Sequence, residues 1–203
     1  MAGVGNAPHP DELQPEQTEG FKVSEKKTID EYHQLDAHDE SLKKWKASLG
    51  LGGTGASTSD PNDPRKVIIH SLGLEVANRP DIIIDLSKPG ALETLDKQPF
   101  TIKEGAAFRM KARFKVQHQI LSGLKYVQVV SRLGVKSKMQ EMIGSYSPNS
   151  TDKPEYEKKF ETETAPSGML GRGHYEAVSK FIDDDNQTHL QFKWSFDIKK
   201  DWQ

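Results

Sequence analysis

The sequence contains no cysteine, and this absence excludes several kinds of site at once. Without thiols the chain has no disulfide, no thiolate zinc site and no cysteine nucleophile. It also lacks any run of about 18 consecutive apolar residues, the length that a membrane-spanning helix needs. The first residues, MAGVGNAPHPDELQPEQ, have neither a basic segment nor an apolar run, so we expect no signal peptide and a soluble, cytoplasmic protein.

Apolar residues and strongly basic patches are also scarce. Hydrophobic residues make up 34% of the 203 residues, and the mean hydropathy is −0.73, so part of the chain is expected to stay outside any core. Residues 1–65 carry 12 Asp and Glu against 7 Lys and Arg, whereas residues 66–203 carry 18 against 21. An acidic arm therefore precedes a mildly basic body, and neither half has the basic stripe typical of nucleic-acid binding.

The acidic arm divides into three parts. Residues 1–26 are rich in Pro, Gly, Glu and Gln, a composition that predicts disorder because it cannot bury enough apolar surface. Residues 28–50 predict a helix-loop-helix, and residues 51–65 are a polar, Gly- and Ser-rich linker. The body, which we predict to fold as one unit, occupies residues 66–203.

The two arm helices are predicted from capping and spacing. The sequence T-I-D-E, beginning at Thr28, is a capping box. Apolar residues then recur at helical spacing, Tyr32 and Leu35 in the first helix and Leu42 and Trp45 in the second. Such short helices are marginal alone, so their apolar faces either fold back onto the body or bind another protein. The flexible linker favours binding to another protein.

From residue 66 onward the apolar residues fall on alternate positions. The stretches KVIIHSLGLEV, AAFRMKARFKVQ and HLQFKWSFDIKKDW show this pattern, which is typical of a strand with one buried face. Further strands are expected at 81–86, 100–102, 124–133, 135–143 and 174–182. Eight or nine strands at turn spacing, with no convincing helix of ten residues between them, predict an all-β fold: an immunoglobulin-like antiparallel β-sandwich preceded by a flexible arm.

Candidate catalytic and metal-binding patterns are weak. The seven histidines form no H-E-x-x-H or H-x-H pattern, and no G-x-S-x-G elbow occurs. Gly50, Gly52 and Gly55 match a dinucleotide-binding fingerprint, but a helix rather than a strand is predicted before them. The acidic triplet 183–185 lies at a predicted hairpin turn, where such residues are usually solvated. We therefore expect no enzyme and no cofactor or metal ion.

Six blocks of the sequence occur in the same order in one known family. They are YHQLDAHDESLKKWK, FTIKEGAAFRMKARFKV, ILSGLKYVQ, IGSYSP, APSGMLGRGHY and KFIDDDNQTHLQFKWSFDIKKDW. In these blocks, from about residue 21 to residue 203, the chain resembles the Rho GDP-dissociation inhibitor family.

The resemblance implies a protein that binds GDP-bound, geranylgeranylated Rho-type small GTPases in a one-to-one complex. It implies that the protein slows GDP release and extracts the GTPase from membranes, with its tail held between the two sheets. The isoprenoid lipid is then part of the protein partner, and contact with the membrane is transient. Nucleic acid is not an expected partner. The alternatives are a general lipid-carrying sandwich that does not recognise a GTPase, and an enzyme.

The resemblance also implies roles for individual residues. Asp39 matches the aspartate that accepts hydrogen bonds at the first switch of the GTPase, and Asp185 matches the one that pairs with a basic residue at the second. The other expected GTPase contacts are Asp184, Tyr32, Leu35, Leu42 and Trp45. The expected prenyl pocket residues are Leu74, Phe100, Phe108, Ile120, Leu170, Phe192 and Trp194, with Leu121 as a further candidate.

Two parts of this site stay open at the level of sequence. An inward aromatic row is ordinary core in most proteins; the resemblance makes part of the last strand a pocket wall, and we assign Phe196, a further pocket candidate, and Ile198 to plain core. Lys138 stands where animal relatives have an acidic residue. An acidic cradle for the basic tail of the GTPase would then depend on Glu157, Glu161 and Glu163.

Overall fold

Nine strands and two short 3₁₀ helices occur in the part of the chain that the computed structural model describes, namely residues 10–16, 20, 31, 39–41, 44 and 55–202. The 3₁₀ helices span Pro10–Leu13 and Ala91–Glu93. None of the helices described is long and apolar enough to cross a bilayer. The strands are β1 (Val67–Val76), β2 (Ile82–Asp85), β3 (Phe100–Lys103), β4 (Ala107–Val116), β5 (Leu121–Arg132), β6 (Val135–Tyr146), β7 (Tyr156–Thr164), β8 (Gly173–Ile182) and β9 (Thr188–Lys199).

The strands form two sheets. One has four strands in the order β2-β1-β4-β7, and the other has five in the order β3-β9-β8-β5-β6. The predicted immunoglobulin-like sandwich is therefore confirmed. One pair departs from the antiparallel prediction: β3 and β9 run parallel, with Phe100 opposite Phe196 and Lys103 opposite Lys199. The reason is that the chain crosses to the second sheet after β2 and joins its edge.

The core lies between the sheets and follows from the alternation in the sequence. In β4, for example, Met110 and Phe114 are buried, whereas Arg113 on the other face is exposed. The same alternation buries Trp194 and Phe196 of β9. A fully buried large apolar side chain contributes roughly 1.5–3 kcal/mol to stability, so these rows hold the two sheets together.

Strand β7 is absent from the strands predicted by sequence. Only Tyr156 and Phe160 are buried in it, and most of its other residues are charged. The strand lies at the edge of the four-stranded sheet and pairs only with β4 among the described strands. An edge strand can form with two inward aromatics because its partner supplies the hydrogen bonds, and its charged residues discourage pairing with other chains.

Residues 10–16 lie within the segment 1–26 for which the sequence predicts disorder, and the structure describes them, beginning with the 3₁₀ helix Pro10–Leu13. Leu13 is 1% exposed and packs in an apolar cluster with residues of β5 and β8 on the outer face of the five-stranded sheet. Nearby, the Glu12 carboxylate accepts a hydrogen bond from Lys136 Nζ at 2.9 Å. A low apolar content means only that a segment cannot form a core of its own. Here one leucine uses an apolar patch that the sandwich already provides.

The predicted helix-loop-helix over residues 28–50 lies largely outside the described residues. Of this segment the structure describes residues 31, 39–41 and 44, and all except Asp39 are helical. The predicted contact residues that are not described are Tyr32, Leu35, Leu42 and Trp45.

Candidate functional site

A cavity opens between the two sheets at one end of the sandwich. We call this the mouth end; β5, β7 and β9 finish there, and β6 and β8 begin there. The cavity has a volume of ≈250 Å³, near the lower limit of the ~300–1,000 Å³ typical of ligand pockets. Its polar lining residues include Gln128, Ser137 and Glu163. Most of the lining is apolar, including Leu74, Ile102, Phe108, Met110, Val130, Tyr175, Trp194, Phe196 and Ile198.

One wall of the cavity is built from stacked aromatic rings. The Phe100 ring lies nearly parallel to the Trp194 ring, with centroids 5.5 Å apart and an interplanar angle of 13°. The rings of Tyr175 and Phe196 are stacked in the same way, with centroids 5.0 Å apart and an interplanar angle of 6°. Flat rings held by their neighbours form a rigid surface with little side-chain entropy left to lose when an apolar ligand binds.

Hydrogen bonds fix the orientation of the Trp194 ring. Its indole Nε1 donates to Ser179 Oγ at 2.8 Å, and Ser179 Oγ lies 2.7 Å from the hydroxyl of Tyr126. The Tyr126 hydroxyl also donates to Gln128 Oε1 at 2.6 Å. Burial raises the pKa of Tyr126, so the phenol is neutral at physiological pH. This network pairs the polar atoms of Trp194, Ser179 and Tyr126 behind the wall and holds the indole in its orientation.

The structure places some of the predicted prenyl-pocket residues together and separates others. Leu74, Phe108 and Trp194 line the cavity, and Phe100 stacks behind Trp194. Phe196 and Ile198, which we assigned to plain core, also line it. The alternation indicated the inward face correctly, but it contains no information on where along a strand the two sheets separate.

Four other candidates do not line this cavity. Leu170 is 91% exposed in the loop between β7 and β8. Phe192 is buried but borders a separate surface depression beside Val178. Ile120 precedes β5, and Leu121 is fully buried in the core. Both are at the far end of the sandwich from the mouth.

The acidic triplet 183–185 lies at this far end, which we call the turn end, and it is not simply solvated. Asp183 is fully buried, and its carboxylate lies 3.0 Å from His189 Nε2 and 3.4 Å from Lys66 Nζ. It also accepts hydrogen bonds from the backbone N–H groups of Asp185 and Gln187, each at 2.9 Å. Burial alone raises the pKa of Asp183, but the hydrogen bonds from His189 and Gln187 and the nearby positive charges outweigh it and hold the pKa at about 2.

The other two acidic residues of the triplet differ in exposure. The Asp184 carboxylate lies 2.7 Å from Lys125 Nζ, and its side chain is 8% exposed. This position requires a glycine at residue 123, because a Cβ there would lie 1.8 Å from Asp184 Oδ2. Asp185 has a side chain 20% exposed, 3.7 Å from Lys66 Nζ. Among the described residues no acidic or histidine cluster is arranged to hold a metal ion.

Asp39, the other predicted switch contact, is exposed. Its Oδ1 accepts a hydrogen bond from the backbone N–H of Ser41 at 2.8 Å. Because Glu40 and Ser41 are helical, Asp39 is at the N-cap of the second predicted arm helix.

An acidic strip follows the facing edges of β6 and β7 beside the cavity. Burial raises the pKa of Glu163, which lines the cavity, and the negative charge of Glu141 raises it further. Burial likewise raises the pKa of Glu141, against the effect of Lys158 at 3.9 Å, and Glu161 adds to the increase. The structure therefore brings several carboxylates close together. Their negative charges repel one another, so a cation that binds nearby would stabilise them. Lys138 instead donates to the backbone carbonyl of Gln14 at 2.9 Å.

Comparisons with known proteins agree on one family. The family model described as "RHO protein GDP dissociation inhibitor" matches residues 7–201. The chain is 49% identical to the Rho GDP-dissociation inhibitor of Schizosaccharomyces pombe over 181 residues, 89% of this chain and 86% of that protein. It is 46% identical to that of Saccharomyces cerevisiae over 182 residues, 89% and 90% of the two chains. It is 43% identical to human Rho GDP-dissociation inhibitor 1 over 188 residues, 92% and 89%.

Proposed function

This chain belongs to the Rho GDP-dissociation inhibitor family, and from that premise we propose that it binds geranylgeranylated Rho-type GTPases in their GDP-bound form. The complex is one-to-one, keeps the GTPase in the cytosol and slows the release of GDP. The protein is a regulatory inhibitor and not an enzyme.

The cavity between the sheets is the observation that carries this proposal. Its apolar lining and stacked rings suit a flexible hydrocarbon chain, and its open end lets the chain enter from solvent or from a membrane. Burial of about twenty carbons at ~0.8 kcal/mol per CH₂ is worth at most ~16 kcal/mol, and the bilayer offers the same chain a similar stabilisation. Transfer is therefore close to neutral. The contacts between the GTPase and the inhibitor must then decide whether extraction occurs.

The turn end supplies one set of these contacts. The buried Asp183 fixes the backbone of the turn, so Asp185 presents its carboxylate in a defined direction before any partner arrives. The linker ends at Lys66, just before β1, and Lys66 pairs with both Asp183 and Asp185. The C-terminal end of the arm therefore lies beside this turn. Asp39 on the arm and Asp185 on the sandwich thus approach one GTPase from two sides. A GTPase whose switch loops are held in this way releases GDP slowly, because those loops enclose the nucleotide and its Mg²⁺.

The distance between the two ends of the sandwich fits the C-terminal tail of a GTPase. From Ile182, next to the turn, to Tyr175 at the cavity, β8 rises about 23 Å at ~3.3 Å per residue. A roughly seven-residue extended tail spans this distance. A basic tail on this path passes the acidic strip of Glu141, Glu161 and Glu163. There the carboxylates pair with basic side chains of the tail.

Asp39→Ala and Asp185→Asn are each expected to weaken binding to a prenylated Rho-type GTPase at least tenfold. Each aspartate meets a polar or basic group of the GTPase that the substitution leaves unpaired, at a cost of roughly 2–5 kcal/mol. Asparagine is preferred at position 185 because the side chain is only 20% exposed and lies close to Lys66. Calorimetric titration gives the two affinities, and Glu93→Ala, at an exposed carboxylate between β2 and β3, is the matched control.

Melting temperatures separate this effect from misfolding. Asp39→Ala is expected to melt close to the wild-type temperature, because Asp39 is exposed and lies at a helix cap outside the core of the sandwich. Near-native affinity in both variants would contradict the switch contacts, while leaving the family assignment intact.

Acidification is expected to weaken the complex through the acidic strip. The pKa values of Glu141 and Glu163 are raised above the ordinary 4.5 in the free protein, so protons reach these carboxylates earlier than usual as pH falls. Each protonation removes a charge that attracts the basic tail, so affinity decreases as the pH falls from neutral towards these raised pKa values. Glu163→Gln should lower the affinity at neutral pH and flatten this profile. An unchanged profile in that variant would show that Glu163 does not contact the tail.

A further inference from the structure

Four apolar side chains project into solvent at the mouth end of the sandwich. Leu133 and Val135, at the β5–β6 hairpin, are 90% and 74% exposed. Met169 and Leu170, in the loop between β7 and β8, are 84% and 91% exposed. No other large apolar side chain in the described residues is as exposed as any of these. Single exposed apolar residues are ordinary on protein surfaces, but a cluster marks a surface that contacts something apolar. We call these four residues the apolar lip.

The two halves of the apolar lip are joined into one surface by Arg132. Its guanidinium donates hydrogen bonds to the backbone carbonyls of Leu170 and Arg172, so the hairpin holds the loop. The loop is fastened on its other side by Glu104, whose carboxylate accepts a hydrogen bond from the Gly168 N–H at 2.7 Å. The exposure of Met169 and Leu170 is therefore maintained by specific contacts.

The apolar lip is continuous with the cavity. Val130, Ser137 and Tyr175 line the cavity and also line a shallow depression bordered by Leu133 and Val135. Arg132 also lines this depression, but its guanidinium lies over the Tyr175 ring and is bonded to the loop carbonyls, so the path itself is formed mainly by uncharged side chains. The lip thus extends the cavity lining onto the outside of the protein.

We propose that the apolar lip enters the surface of a lipid bilayer and brings the cavity mouth to a membrane-bound prenyl chain. This inference rests on the proposed function, because a prenyl chain that passes directly from bilayer to cavity never has to cross water. Convex aliphatic loop tips suit the boundary between headgroups and acyl chains. Asp184 and Asp185, which are assigned to the GTPase, lie at the turn end, so the folded part of that partner leaves the lip uncovered.

The charges around the lip indicate that apolar contact dominates this binding. Three cations at the mouth end are already engaged: Lys103 lies 2.8 Å from Asp201, Arg172 lies 3.2 Å from Glu104, and Arg132 donates to backbone carbonyls of the loop. A second copy of the chain is a poorer partner for the lip, because four side chains cannot provide the ~1,200–2,000 Å² that a stable protein interface buries. Anionic lipid is therefore expected to add little to the binding.

The absence of cysteine allows a direct test with single labels on the full chain. Leu133→Cys carries an environment-sensitive fluorophore at the lip, and Asn62→Cys carries it at an exposed position of the turn end. With vesicles of phosphatidylcholine, alone or with phosphatidylserine, the label at 133 should shift to the blue and the label at 62 should not. Similar shifts with both lipids support apolar insertion. No shift at 133, or equal shifts at both positions, would overturn the proposal.

A functional test uses Leu133→Glu with Met169→Glu. Extraction of prenylated GTPase from vesicles should slow by roughly tenfold, the loss expected when burial of apolar side chains is replaced by desolvation of charge. Binding of a prenylated peptide in solution should be unchanged, because neither residue lines the cavity. Unchanged extraction would contradict membrane insertion of the lip. A dimer of the wild-type protein in light scattering would also contradict it if the double variant were monomeric, because the lip would then bind a second copy of the chain. Failure of the wild-type protein to bind the peptide would instead contradict the proposed function.

Discussion

Asp183→Ala is expected to lower the free energy of unfolding by roughly 3–5 kcal/mol, and to weaken GTPase binding as a consequence. The substitution removes the acceptor for two backbone N–H groups of the turn and leaves Lys66, whose side chain is 4% exposed, without its buried partner. Because Asp183 sets the conformation of the turn, Asp185 would no longer be presented in a fixed direction. Urea unfolding at neutral pH measures the stability, and titration with the GTPase measures the binding.

Asp183→Asn separates the charge from the hydrogen bonds. Asparagine keeps an Oδ1 acceptor for the backbone N–H groups of Asp185 and Gln187 but carries no charge, so we expect a smaller loss of stability than with alanine. The contribution of the charge is fully present above about pH 4 and is lost as pH falls towards the folded-state pKa of about 2. The stability difference between wild type and this variant should therefore be constant near neutral pH and shrink in acid. A difference that does not change with pH would show that the charge does not stabilise the turn.

Trp194→Ala is expected to reduce extraction of prenylated GTPase from membranes at least tenfold, and to affect binding of the unprenylated GTPase far less. The indole forms the cavity wall, stacks on Phe100 and is held by Ser179, so its removal enlarges the cavity and releases its neighbours. Truncation of a buried tryptophan also costs roughly 3–5 kcal/mol of stability. Extraction from vesicles and binding of the unprenylated GTPase should therefore be measured below the melting temperature of the variant.

Phe192→Ala is the matched control for this prediction. Phe192 is two residues away on the same strand and face and is 4% exposed, but it does not line the cavity. Its truncation should cost similar stability and leave extraction near the wild-type level. If the two variants lose extraction equally, Trp194 acts as core and the cavity is not the lipid site. If Phe192→Ala alone loses extraction, the lipid occupies a different path between the sheets.

The period-two pattern in the sequence was sufficient to predict most of the strands and their inward faces. Side chains alternate across a strand whatever it pairs with, so Phe192, Trp194, Phe196 and Ile198 could be assigned to one face without a structure. The same rule failed for β7, whose two inward aromatics make too weak a pattern to separate an edge strand from a loop.

The blocks of sequence that identify the family were also readable without a structure, because they depend on residue identity and order alone. Those blocks indicated that Asp39 and Asp185 act on one partner. The helical spacing that predicts the arm is of the same kind, since it depends only on residues within a few positions of one another.

Contacts between distant segments could be decided only by the tertiary structure. Asp183 pairs with Lys66, which is 117 residues away, and Leu13 is buried on the outer face of a sheet more than 100 residues further along the chain. The position of the cavity depends in the same way on where the two sheets diverge. Phe196 lines the cavity, whereas Phe192 lies outside it. Alternation specifies the face on which a side chain lies. Its neighbours on that face come from strands that only the folded chain brings together, so burial, charge pairing and the position of the cavity followed from the packing of the two sheets.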